Sequence, residues 1–425
     1  MTSTRTDPST NPSTSAAGVV VVGGGQAGFS VVSALRSAGY DGPVTVFADE
    51  PHLPYQRPPL SKKAHTDRDG VRVDLVPESF YRERDIGLRL GDAVTAIDTA
   101  ARTATTGQGL RVPYDHLVLA TGARNRPLPV PGAELAGVHG LRSLDDALAI
   151  GRALTTARDV VVVGGGFIGL ELARVAVAGG ARVTVVELAD RLLSRAVSPQ
   201  LQEHLRERHE RSGVRILTGT AVHAIEGTDR VRQVVTDRGP LPADLVVYGV
   251  GAAPRDELAR AAGLAVDDGV IVDEQLRSIT DPRVCAVGDC ARHPHPHAEG
   301  LVRLESVQNA ADQGALVGRR IAGSPSPYAS LPWFWSDQGD VKLQIAGLRA
   351  NTDEVRVAPG DSPERLAAYA FRDDRLVAVE TLNWPAEHLA ARRLLERRTP
   401  VSAADLAGST LGALARARRA AEVRT

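Results

Sequence analysis

Val19–Gly28 reads VVVVGGGQAG. Four β-branched residues run into Gly23-x-Gly25-x-x-Gly28, and an apolar, helix-like run, Phe29–Leu35, follows. Strand, glycine turn and helix in this order are the grammar of a dinucleotide site. Gly23 permits the tight turn, and Gly25 lets the backbone approach a pyrophosphate. Gly28 lets the helix, opened by Gln26 and Ala27, pack on the strand with its N-terminus facing the phosphates. A second strand, Val44–Ala48, ends in Asp49-Glu50. A carboxylate roughly 20 positions past the last glycine is what ribose recognition requires.

One glycine fingerprint is weak evidence, but the chain starts again. Val160–Gly169 reads VVVVGGGFIG, with Gly164, Gly166 and Gly169 repeating the spacing and Phe167 and Ile168 opening the next helix. That helix spans Phe167–Ala178, and the strand Arg182–Val186 ends in Glu187. This is an internal repeat of a βαβ unit, far more specific than either copy alone. Between the copies, PHLPYQRPPLSK (Pro51–Lys62) is a stiff, extended loop, because its four prolines forbid a helix or a central strand. Ala93–Asp98 and Tyr114–Ala120 read as strands, and RNRPLPVPG (Arg124–Gly132) as a linker. Further on come the strand Leu245–Val250, the strand Val284–Val287 running into Gly288-Asp289, and a helix over Arg303–Ala322. After Gly323–Ser330 the pattern changes to hairpins, with strands near Val355–Val357, Ala367–Phe371 and Leu376–Glu380. Ala390–Thr425 reads as helical.

The 425 residues suffice for two or three domains. A net charge of -1 argues against a general nucleic-acid binder, which carries a basic excess. Lys62, Lys63 and Lys342 are the only lysines. Two cysteines, Cys285 and Cys290, are too few for a disulfide scaffold and suit a reducing cytosol. No apolar run approaches the roughly 20 residues of a membrane helix. Residues 1–17, rich in Ser, Thr and Pro, read as a disordered tail without the apolar core of a signal peptide. The expectation is a soluble, cytoplasmic protein.

Two dinucleotide sites in one chain imply two nucleotides that exchange electrons. Glu187 would accept hydrogen bonds from ribose hydroxyls and repel a 2′-phosphate, so the second site favours NADH; Arg191 reads as a surface arginine. The first site suits FAD, which needs a second anchor. Gly288-Asp289 supplies it, and the helix starting near Ser306 can aim its N-terminal amides at the flavin pyrimidine edge.

At these residues the chain resembles the single-chain, FAD-dependent NADH:ferredoxin reductases of bacterial oxygenase systems, among them putidaredoxin reductase and the reductases of aromatic-ring dioxygenases. The resemblance runs from about Val19 to about Pro385. Its motifs are DEPHLPYQRPPLSK (Asp49–Lys62), LATGARNRPLPVPG (Leu119–Gly132), VVGGGFIGLELA (Val162–Ala173), AVGDCA (Ala286–Ala291), RLESVQNA (Arg303–Ala310) and PWFWSDQ (Pro332–Gln338). It implies an α/β fold with two Rossmann-like, glutathione-reductase-like domains and a C-terminal α+β domain. The boundaries expected are 18–123 with 252–325 for FAD, 124–251 for NAD, and 326–425 for the interface domain. It implies FAD contacts at Gly23–Gly28, Asp49, Lys62, Val94, Arg124, Asp289 and Val307, and NADH contacts at Gly164–Gly169, Glu171 and Glu187. Lys62 and Glu171 would lie beside the flavin ring, Lys62 bonding the flavin or Glu171, and Trp335 near it on the C-terminal domain.

Cys285 and Cys290 mimic a redox pair, but their position is wrong for disulfide reductases and they read as buried free thiols. His293, His295 and His297 read as loop decoration rather than metal ligands. Without an internal disulfide, electrons pass from the flavin directly outside. The resemblance implies a small acidic two-iron, two-sulfur ferredoxin as acceptor, feeding an oxygenase, with the enzyme a monomer or weak dimer. Arg319 and Arg320 are docking candidates. Ala315, where relatives often carry a basic residue, and Gly339, where they carry a bulkier one, depart from the pattern. The alternatives are an NADH oxidase or a flavoenzyme acting on a small molecule, and a redox-sensing protein similar to apoptosis-inducing factor.

Overall fold

In a computed structural model, residues 17–62 and 73–422 are described; the expected tail before Ala17, and Lys63, lie outside them. The chain forms two compact units. The first takes the N-terminal stretch through Gln56, Asp74–Ala123 and Pro254–Ala329. The second takes the segment opening at Arg57, Arg124–Ala253 and the chain from Ser330 on.

In the first unit, Val19–Val22 is the middle of a five-stranded parallel sheet ordered Val284–Ala286, His116–Leu119, Val19–Val22, Val44–Phe47, Gly87–Arg89. All four valines are buried, as a strand covered on both faces requires. The Val307 helix (Val307–Ile321) lies against the first fingerprint helix (Gln26–Ser37). Gly314 and Gly318 make this possible: a Cβ at either would fall 2.4 and 2.5 Å from the carbonyl oxygens of Ala27 and Val31. The helix starts from Ser306, as its acidic-serine signal suggests, and not at Arg303. Ser306 is extended and caps the first turn, its Oγ accepting from the Asn309 N–H at 3.1 Å, so Arg303–Glu305 stay outside.

The second unit repeats the plan. Its parallel sheet runs Val214–Leu217, Arg182–Val186, Asp159–Val163, Leu245–Tyr248, Val138–Gly140. The same unit contains a five-stranded antiparallel sheet, ordered Trp333–Gln338, Val341–Gly347, Arg375–Leu382, Leu366–Arg372, Glu354–Pro359, covered by the helix Pro385–Glu396. The C-terminal stretch is not one helix. Arg398 in a left-handed conformation, Pro400 and Gly408 at φ +71° separate Pro385–Glu396 from Leu411–Glu422.

The proline loop also differs from expectation. It ends in a 3₁₀ turn, Pro58–Ser61, with prolines at its first two positions. Proline is barred from a helix interior but suits the first turn, where its missing N–H has no partner to lose.

Candidate functional site

In the first unit, Gly23 has φ +125°, and a Cβ there would fall 2.1 Å from the Ala120 carbonyl oxygen. A Cβ on Gly28 would fall equally close, 2.1 Å, to the Gly23 carbonyl oxygen. At Gly25 it would meet nothing within 4 Å, so the turn is open there. The helix behind it has no side-chain cap and no acidic residue in its first turn. Its leading amides are left for an anion. Gln26 turns its amide to Ser30 Oγ, 3.2 Å away, and Ala27 is buried. The turn Gly288–Cys290 is pinned alongside: the Gly288 N–H donates to Gln313 Oε1 at 2.7 Å, and a Cβ on Gly288 would fall 3.2 Å from Ala27 Cβ. Asp289 follows Gly288 directly in this turn, and Val307 is the first residue of the helix whose Gln313 pins it. A close-packed glycine floor and an uncapped helix end fit the pyrophosphate of a dinucleotide such as FAD. Val94, at the head of an antiparallel strand, is buried in this unit; Arg124 belongs to the second unit and is exposed.

The second fingerprint has the same geometry. Gly164 has φ +107° with a Cβ position 2.5 Å from the Gly249 carbonyl, and that of Gly169 is 2.4 Å from the Gly164 carbonyl. Gly166 is open, and the helix Phe167–Ala178 again lacks a side-chain cap and first-turn acid. Ile168 is exposed on it. Glu187 accepts from the Gly165 N–H at 2.6 Å and the Ala189 N–H at 2.8 Å. Each carboxylate oxygen keeps a lone pair for a ribose hydroxyl. Arg191 is exposed and shares a cavity wall with Asp190 and Asp353, acidic neighbours that make a poor phosphate site.

The two copies differ by one residue. Gly23 N–H bonds the Phe47 carbonyl and Gly164 N–H the Val186 carbonyl, both at 2.8 Å. Glu187 therefore corresponds to Ala48, and Asp49 lies one position further on, exposed and paired with Arg255 at 2.5 Å. The sequence treats Asp49 and Glu187 as equivalents; the register does not.

Within the second unit, Lys62 and Glu171 meet. Lys62 Nζ is 3.1 Å from Glu171 Oε1, and 3.9 Å from Asp337. The diproline turn makes this possible by presenting Ser61 and Lys62 together: Ser61 Oγ donates to Glu171 Oε2. The motif strand Trp333–Gln338 completes the shell. Ser336 Oγ donates to Glu171 Oε1 at 2.5 Å and the Asp337 N–H at 3.2 Å. Glu171 is buried, and among the described residues its donors come from one edge strand and one proline-stiffened turn. Ser61, Ser336, Asp337, Gln338 and His209 are the members that sequence reading misses. Ser336 and Gln338, two apart in PWFWSDQ, carried the signal as a strand face.

Trp335 stands on the opposite strand face from Ser336 and Gln338, stacked on Trp333 at 5.4 Å and 30°. Arg392 caps Trp333 at 4.4 Å. Both cysteines are free and buried, and burial pushes the Cys285 thiol up to about 11. Arg320 donates to Cys285 Sγ at 2.6 Å and so is turned inward, unlike the exposed Arg319. His293, His295 and Tyr328 stack edge-on, with centroids 5.2–5.7 Å apart. Among the described residues no group of three or more His, Cys, Asp or Glu is arranged to hold a metal, and no helix is long and apolar enough to cross a membrane. Gly339 has its own reason: at φ +71° it lies under Arg174, whose Nε would be 2.3 Å from a Cβ.

Residues 17–314 match the family described as pyridine nucleotide-disulphide oxidoreductase, and residues 333–412 match the one described as Reductase C-terminal. The chain is 43% identical over 387 residues to rhodocoxin reductase of Rhodococcus erythropolis, covering 90% of each chain. Its structure is similar to that of the ferredoxin reductase for the CYP199A2 system from Rhodopseudomonas palustris (TM-score 0.91, 41% identity, 95% of this chain and 100% of that one). It is also similar to the reductase in a covalent putidaredoxin reductase–putidaredoxin complex (TM-score 0.91, 35% identity, 96% and 100%). The chain belongs to the pyridine nucleotide-disulphide oxidoreductases, in the branch that carries a Reductase C-terminal domain and works with FAD and NAD(H).

Proposed function

We propose that the protein is an NADH-dependent, FAD-containing reductase that passes electrons to a ferredoxin-type iron–sulfur protein serving an oxygenase. The Lys62–Glu171 pair, with Glu171 in the second turn of the NAD-type helix of a chain with no redox disulfide, carries this reading. Gly164–Gly169 would hold the pyrophosphate of NADH and Glu187 its ribose. Gly23–Gly28 would hold that of FAD, with Asp49, Asp289 and the amides at Val307 on its hydroxyls and pyrimidine edge, and Val94 and Arg124 as further contacts. Lys62 and Glu171 would fix the nicotinamide and flavin rings for transfer, and Trp335 would line the exit side. FAD, when bound, takes two electrons as a hydride and releases them one at a time. The residues contribute orientation and a dry environment.

A relative is named for rhodocoxin, and a structural neighbour is bound to putidaredoxin. By that analogy the acceptor is a ferredoxin; exposed arginines such as Arg319 favour an acidic one. Two unpaired cysteines suit a reducing cytoplasm. The test is stopped-flow reduction of the yellow protein by NADH, followed by mixing with a panel of two-iron, two-sulfur ferredoxins. At least one ferredoxin should reoxidise the flavin far faster than air. Reoxidation by air as fast as by every ferredoxin overturns the reading in favour of an NADH oxidase.

A further inference from the structure

The hydrogen bonds behind Glu171 run in one direction. A carboxylate only accepts, so Ser336 Oγ spends its proton on Glu171 and must accept from elsewhere. The Gln338 amide nitrogen supplies that bond, at 2.7 Å, and also donates to the Phe167 carbonyl at 3.3 Å, which settles which way the amide points. Its carbonyl oxygen must then accept, and His209 Nε2 lies 3.0 Å from it. Burial drives the His209 proton affinity down to about 4, so the ring is neutral near pH 7 with its proton on Nε2. Ser336, Gln338 and His209 are each no more than 2% exposed. Chains of donors aligned this way polarise one another and strengthen the last bond.

We infer that Ser336 and Gln338 are positioning residues for the Lys62–Glu171 pair, with His209 as the anchor of their chain; the inference rests on the function proposed above. The surrounding structure fixes both ends. Phe334, on the same strand face, packs on Phe167 at 4.6 Å, at the start of the helix that bears Glu171. Asp340, just past the strand, takes Arg174 of that helix at 3.1 Å and Arg208, next to His209. Gly339 leaves the space in which Arg174 crosses the turn. Without the Ser336 hydroxyl, Glu171 Oε1 keeps, among the described residues, the Asp337 N–H and Lys62, while Oε2 stays pinned by Ser61 as a pivot. The carboxylate can then swing, and the ammonium follows it. Misplacement by about 1 Å at a reacting centre costs up to about 100-fold in rate.

The experiment compares the FAD-loaded parent with Ser336→Ala and Gln338→Leu. Stopped-flow gives the limiting rate of flavin reduction and the NADH dissociation constant separately. Competitive acetylation, read against an added free amine by fragment-ion mass spectrometry that separates Lys62 from its neighbour Lys63, gives the reactivity of Lys62, which is 21% exposed. The limiting rate should fall about tenfold in Ser336→Ala with NADH affinity within twofold of the parent, and Lys62 should acetylate several-fold faster. Gln338→Leu should show the same pattern; if it does not fold, Ser336→Ala alone decides. Reduction of Ser336→Ala within twofold of the parent rate, or unchanged Lys62 acetylation, overturns the inference. A parent that NADH does not reduce overturns the functional reading instead.

Discussion

A methyl group at Gly28 or at Gly169 would collide with a carbonyl oxygen of its own glycine turn, and neither backbone has anywhere to go. The two substitutions therefore separate the two nucleotides. Gly28→Ala should purify with little bound FAD, seen as a loss of absorbance near 450 nm relative to 280 nm. Gly169→Ala should stay yellow and lose NADH affinity by tenfold or more. The opposite pattern would reverse the assignment of the sites. Glu187 supports a second prediction. It holds two backbone amides and would add two ribose hydroxyls, and hydrogen bonds to a charged group contribute roughly 1.5–3 kcal/mol each. Glu187→Ala should raise KM for NADH by about 10- to 100-fold and narrow the preference over NADPH, measured from kcat/KM with both. These residues were legible from the chain because glycine spacing and strand-end acids act locally. The neighbours of Glu171 were not. His209 and Gln338 are 129 positions apart, and only a packed strand and helix reveal that their polar atoms meet.

The element scale shows where local patterns stop short. The parallel strands and the helix Phe167–Ala178 follow directly from valine runs and glycine punctuation. The Pro58–Ser61 turn does not, because four prolines forbid an α-helix yet permit a single 3₁₀ turn that begins with two of them. The two C-terminal helices are equally hard to read, since Ala and Arg favour helix throughout and the break depends on left-handed Arg398 and Gly408. Two helices share one hidden cost. Pro199–Arg211 buries His209 and Pro385–Glu396 buries His388, and burial drives both down to about 4, with Arg392 adding to the effect at His388. Well above pH 6.5 both rings are neutral in folded and unfolded chain alike. Between 6.5 and about 4 the unfolded chain takes up protons that the folded chain refuses. Stability should fall across that window by on the order of 3 kcal/mol per histidine, and level off below it. The Tm should drop by several degrees from pH 7 to 5, and His388→Phe should flatten the slope. A parent Tm that is constant over this range would rule out the buried neutral rings.

Across the whole molecule, 50 basic and 51 acidic side chains nearly cancel, so no net field draws a partner in. Recognition of an acidic ferredoxin must come from local arginines, and such contacts act over about 10 Å at 0.1 M salt and about 3 Å at 1 M. Nucleotide binding works differently, through amides and buried groups that salt screens far less. Raising salt from 0.05 to 0.5 M should therefore slow ferredoxin reduction about tenfold while flavin reduction by NADH changes less than twofold. The Val307 helix offers a sharper test. Arg320 is committed to Cys285, which leaves Arg319 exposed at one end, and Ala315 stands partly exposed one turn earlier. Ala315→Arg adds a cation one turn from Arg319 without disturbing Gly314 or Gly318, whose smoothness the helix packing needs. It should raise the second-order rate with acidic ferredoxins several-fold at low salt and lose that gain at high salt. Arg319→Glu should do the reverse, and both variants should be reduced by NADH at the parent rate. If neither substitution moves the ferredoxin rate, the partner docks on another face, and the arginines of the C-terminal helices become the surface to vary.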